Sequence, residues 1–80
     1  MIRCHLSRLM GEKKVKTIEV ARETGVSRNM ISALYYENAK RIDLSTLAAL
    51  CKYFNCQPGD LLEYDSDEKR HEQKSLNDAS

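Results

Sequence analysis

Apolar residues recur along this chain at helical spacing, in short bursts separated by turn-forming residues. Ile2, Leu6, Leu9 and Met10 fall at i, i+4, i+7 and i+8, one stripe of a first helix that ends near Gly11 and the Lys13-Lys14 pair. Ile18, Val20 and Ala21 supply the inner side of a second helix over Thr17–Thr24, with Thr17 as N-cap candidate and Gly25 as its stop. Ser27 then caps a third helix, Arg28–Tyr36, whose inward positions are Ile31, Leu34 and Tyr35. Asn38 can take the left-handed backbone that closes it. Asp43 caps a fourth helix, Leu44–Phe54, where Leu47, Leu50, Cys51 and Phe54 repeat at i, i+3, i+4 and i+7. Pro58, preceded by Gln57, suits the first turn of a short fifth helix through Leu62, with Leu61 and Leu62 closing the core. Strand-like alternation is absent, and no internal repeat stands out.

After Tyr64 the apolar content collapses to Leu76 and Ala79. Asp65 and Glu68 have capping-box spacing, so a short polar helix or disorder is expected there. The pattern predicts an all-α five-helix bundle over 1–64 and an acidic polar tail over 65–80. Eighty residues allow one domain, and one this small has little stability to spare.

Charge sharpens this division. The net charge of +1 hides ten Lys/Arg against six acids in residues 1–62, and six acids against three bases in 63–80. A basic body with an acidic tail suits a polyanionic ligand. No run approaches the ~20 apolar residues that cross a bilayer. The start, Met1-Ile2-Arg3-Cys4-His5, has no apolar secretory segment, so a cytoplasmic chain is expected. Three cysteines, an odd count, read as reduced thiols and not as a disulfide framework.

The informative stretch is Thr17 to Tyr36. Two helices are joined by Gly25-Val26-Ser27, with small Ala21 where they cross and Val20, Val26, Ile31 and Leu34 directed at one core. That spacing is the helix-turn-helix of DNA-reading domains. With Ile31 and Leu34 inward, the start of the third helix presents Arg28, Asn29, Ser32 and Ala33 outward, with Met30 beside them. Arg28 can grip guanine O6 and N7, and Asn29 adenine N6 and N7. Ser32 reaches a base or phosphate, while Ala33 or Met30 meets a thymine methyl. Phosphates fall to Lys16 and Thr17 at the start of the second helix, to the capping Ser27, and to Lys40 and Arg41 in the loop after the third helix. Tyr36 and Asn38 are further phosphate candidates.

"IEVARETGVSRNMISAL", followed by "DLSTLAALCKYFNCQPGDLLEY", resembles the XRE/Cro-type repressor domain of phages and bacteria over about residues 1–64. The resemblance implies a five-helix unit, helix 3 in the major groove, and a homodimer on a palindromic double-stranded DNA operator. Its transcriptional role would be that of a repressor. Many members pair a glutamate late in helix 3 with an arginine in helix 1 and follow it with a glycine. Tyr35, Met10 and Glu37 stand at those positions here. Tyr35 with Met10 replaces an ion pair by an apolar contact, whereas Glu37 sets a negative charge beside the loop expected to face DNA.

Alternative readings use the same residues. Arg28, Asn29, Lys40 and Arg41 are also what a solvated surface looks like, and a protein-interaction module without DNA binding has such a face. An antitoxin would add a protein partner through the C-terminal tail. Cys4, His5, Cys51, Cys56 and His71 could also serve a thiol or metal switch, but they lack zinc spacing, so no metal or cofactor is expected; Cys51 and Cys56 read as core and Cys4 as exposed. No nucleophile–base constellation marks an enzyme. Tyr53 and Tyr64 serve either the core or a dimer contact, and Phe54 and Leu62 the core.

Overall fold

Among the described residues, five helices pack on one another, and a short antiparallel strand pair ties together two segments some sixty positions apart. The computed structural model describes residues 1–66. In chain order the elements are β1 (Ile2–Cys4), α1 (Leu6–Lys13), α2 (Thr17–Thr24), α3 (Arg28–Tyr35), α4 (Leu44–Phe54), α5 (Pro58–Leu61) and β2 (Leu62–Tyr64). Most of the expected tail, 67–80, lies outside the described residues.

The strand pair corrects the all-α expectation: the fold is mostly helical, with a two-stranded sheet. Ile2 pairs with Tyr64, Arg3 with Glu63 and Cys4 with Leu62. The ladder continues as His5 N–H donates to the Leu61 carbonyl at 2.7 Å and Asp65 N–H to that of Met1 at 2.7 Å. Ile2 is therefore no part of the α1 stripe and is exposed. Cys4, expected outside, is buried, because a strand carries its side chain inward where a helix would have turned it away. Leu62 likewise belongs to β2 and not to α5.

Leu6, Met10, Val20, Ile31, Leu34, Leu50, Leu61 and Cys4 form the core, and Leu9, Val15, Ala21, Val26, Leu47, Phe54 and Leu62 pack around it. Ile18 departs from its predicted inward place and is exposed, as is Tyr35. Val20 and Ala21 alone fix the inner side of α2. Cys51 and Cys56 are half-buried at the margin and do not lie in the core.

The helix ends explain the sharp turns. Three of the described helices close with a non-glycine residue in the left-handed backbone region: Lys14 after α1 (φ 58°), Glu37 after α3 (φ 59°) and Asn55 after α4 (φ 51°). Each is followed by an N–H that reaches back five residues: Val15 to Met10 at 3.1 Å, Asn38 to Ala33 at 2.7 Å, Cys56 to Cys51 at 2.9 Å. A second bond runs from the left-handed residue itself, Lys14 to Gly11, Glu37 to Leu34, and Asn55 to Lys52. This double closure satisfies carbonyls that the helix leaves without partners. Glu37, and not the expected Asn38, takes the left-handed place. α2 ends more simply, on Gly25 (φ 77°), whose N–H meets the Ala21 carbonyl at 2.9 Å.

Candidate nucleic-acid interface

α2 and α3 pack against each other, and α4 backs α2. Between α2 and α3, Gly25 turns the chain with a backbone that a Cβ would strain. Thr24 braces the turn from both sides: its hydroxyl donates to the Val20 carbonyl at 2.6 Å and accepts from Val26 N–H at 3.2 Å. Ser27 then starts α3, its Oγ accepting Met30 N–H at 3.1 Å. The local chemistry thus fixes both the direction and the first residue of α3.

Burial fixes its rotation. Ile31 is 0% exposed and Leu34 2%, which leaves Arg28 and Asn29 exposed on the opposite side of the first turn. Ser32 and Ala33 are half-buried at the flank of the same surface. Met30 is also half-buried, but it packs on the core and lines a hollow with Val26, Thr46 and Ala49, so its thioether is directed partly toward α4. Five of the expected base-reading positions therefore share one helix, with four of them on or beside its open face.

The expected phosphate contacts surround α3. Lys16 is the N-cap of α2, and Thr17 is the first helical residue and not the cap. A lysine side chain offers no acceptor, so the cap is one-sided: the Glu19 carboxylate accepts Lys16 N–H at 3.3 Å. That carboxylate occupies part of the helix start that an incoming phosphate would use. Lys40 and Arg41 are exposed in the loop between α3 and α4, on the rim of a groove also lined by Ile2, Leu34, Ile42 and Tyr64. Among the described residues, no carboxylate pairs with Lys16, Arg28, Lys40 or Arg41. Tyr36 and Asn38 are exposed at the far end of α3, Tyr36 held edge-on against Tyr35 with ring centres 4.9 Å apart.

Glu37 does not face this surface as a bare charge. Its carboxylate accepts from Arg3 Nε at 2.8 Å and Nη2 at 3.1 Å, and from Cys4 N–H at 3.0 Å. The guanidinium hydrogen bond and that backbone donor hold the Glu37 carboxyl down to about 2. One side chain thus joins the end of α3 to β1. Sequence reading missed this link, and its one signal was an acidic residue standing where the resembling family carries glycine.

The two candidate dimer tyrosines differ in setting. Tyr64 is 72% exposed at the end of β2, opposite exposed Ile2. Tyr53 is half-buried, edge-on to Phe54, with the Lys13 ammonium 5.0 Å above its ring. Among the described residues no group of three or more His, Cys, Asp or Glu is placed to hold a metal ion, and no helix is long and apolar enough to cross a membrane.

Comparison with known proteins bears on the whole unit. The pattern of the Cro/C1-type HTH DNA-binding domain matches residues 5–67. The HTH-type transcriptional regulator YozG of Bacillus subtilis (strain 168), itself uncharacterised, is 43% identical over 60 residues, which is 75% of this chain and 71% of that protein. The crystal structure of a candidate DNA-binding protein from Bacteroides fragilis superposes with a TM-score of 0.66 at 24% identity, covering 79% of this chain and all of the other. At that identity the superposition establishes the shared fold.

Proposed function

This chain belongs to the Cro/C1-type helix-turn-helix family and is a DNA-binding transcriptional regulator; from that premise, we propose that it binds a specific double-stranded operator through α3 and represses by occluding it. The observation that carries the reading is the phase of α3. Ile31 and Leu34 are fully inward while Arg28 and Asn29 stand exposed at its N-terminal end, the end that reaches base edges when such a helix enters the major groove.

Arg28 is assigned to a guanine and Asn29 to an adenine, each bidentate pair contributing about 1–3 kcal/mol of discrimination. Ser32 and Ala33 meet the neighbouring bases, Met30 marginally. Lys16, Thr17, Ser27, Lys40 and Arg41, with Tyr36 and Asn38 at the far end, hold phosphates and fix register without reading sequence. The hydroxyl proton of Ser27 remains available, since its oxygen serves the cap as an acceptor. A homodimer would set two α3 helices about 34 Å apart on a palindrome, with exposed Tyr64 a better contact candidate than Tyr53. The role is cytoplasmic and non-catalytic.

Selection of bound duplexes from a random pool, read by sequencing, tests this proposal. The expected result is an enriched palindrome containing guanine and adenine in each half. Enrichment of no sequence, together with a flat dependence of binding on salt, would end it, because phosphate contacts release counterions and must weaken as salt rises.

A further inference from the structure

The close of α4 brings together two thiols that DNA reading does not use. Cys51 lies in the last turn, and its carbonyl accepts the Cys56 N–H at 2.9 Å, with Asn55 between them in the left-handed region. In this form of helix end the side chains at those two positions come into contact, ordinarily as an apolar pair. Here both are cysteines. Both are free and half-buried, and both line a surface hollow with Leu44, Lys52 and Pro58, where small reagents have access. Cys4, by contrast, is buried in the core.

We propose that Cys51 and Cys56 are a redox-sensitive dithiol that low-molecular-weight disulfides convert to an intramolecular disulfide. The Cys51 thiolate attacks one sulfur of the small disulfide, forming a mixed disulfide and expelling one small thiolate. The Cys56 thiolate then attacks the Cys51 sulfur and expels the second. Two electrons pass to the small disulfide, which leaves as two thiols carrying the two protons. Burial, and after it the neighbouring Cys51, push the Cys56 thiol up. A thiol so held is a slow first attacker, yet its proximity makes the second displacement an intramolecular step. The backbone hydrogen bond from Cys56 to Cys51 already closes this six-residue loop, which keeps the two cysteines in one neighbourhood. Among the described residues no third His, Cys, Asp or Glu completes a metal-holding group with the pair, which favours exchange chemistry over tetrahedral zinc.

The test treats the full chain with oxidised glutathione, quenches with iodoacetamide, and reads intact mass and a peptide map. The expected product is a monomer lighter by two hydrogens before alkylation, bridged between Cys51 and Cys56, with Cys4 as its remaining thiol. Cys4→Ser should give the same bridge. Cys51→Ser and Cys56→Ser should each stop at a stable glutathione adduct on the surviving partner. The proposal is overturned if wild type accumulates those adducts without resolving them. It is equally overturned if both thiols stay open to alkylation, or if the bridge maps to Cys4 or between chains.

Discussion

At the scale of single residues, side chains are held in place by different forces. Ile31 is fully enclosed, so Ile31→Ala should cost about 2–5 kcal/mol through lost burial and the cavity left behind. Urea unfolding measures this, and a loss below 1 kcal/mol would show that α3 is not held in this rotation. Glu37 is fixed by charge instead. Its carboxyl lies near 2, below the ordinary carboxylate range, because Arg3 and Cys4 N–H favour the ionised form. The sign follows from linkage: a carboxyl depressed in the folded state adds stability that is present above its unfolded value and is lost as pH falls through about 2. Carboxyl-detected NMR should show Glu37 titrating near that value in wild type and returning toward the ordinary range in Arg3→Ala. An unchanged midpoint in the variant would remove Arg3 as the cause. The pair is solvent-exposed, so its net contribution to stability is small.

At the scale of elements, helix ends set the architecture. Lys14 occupies a left-handed position that L side chains resist. Lys14→Gly should therefore stabilise the domain by about 0.5–1 kcal/mol, and Ser27→Ala should destabilise it by about 1 kcal/mol through loss of the α3 cap. Thermal or chemical unfolding reads both. The same helix ends show how far sequence reading reached. The bounds of α2 and α4 were legible because Gly25 stops the one and Asp43 and Phe54 bracket the other, although Ile18 of α2 is exposed and Thr17 is not its cap. The start of α1 was not, because β1 spans three residues, too few for alternation to register, and Ile2 happened to fall in helical phase with Leu6. Glu37, and not Asn38, takes the left-handed place, and its carboxylate meets Arg3, 34 positions away. No local propensity encodes such a partner. The exposure of Arg28 and Asn29 was legible from Ile31 and Leu34, whereas Tyr35, read as inward, is exposed, and the half-burial of Ser32, Ala33 and Met30 was not legible.

At the scale of the molecule, charge and closure act together. β1 and β2 join Ile2–Cys4 to Leu62–Tyr64, and Arg3–Glu37 fastens that strand pair to the end of α3. The acid at the family's glycine position is thereby neutralised, and Lys16, Arg28, Lys40 and Arg41 are left without carboxylate partners among the described residues. The proposed interface assigns these side chains two kinds of DNA contact that a single titration series can tell apart. Wild type, Arg28→Ala and Lys40→Ala are each titrated against the selected duplex, its single-base variants and random DNA, over a range of salt. Arg28→Ala should lose preference at one base position, by about 1–3 kcal/mol. Lys40→Ala should bind every duplex more weakly and flatten the salt slope by about one unit. If both variants match wild type on every duplex at every salt concentration, α3 and its flanking loop are not the surface that meets DNA.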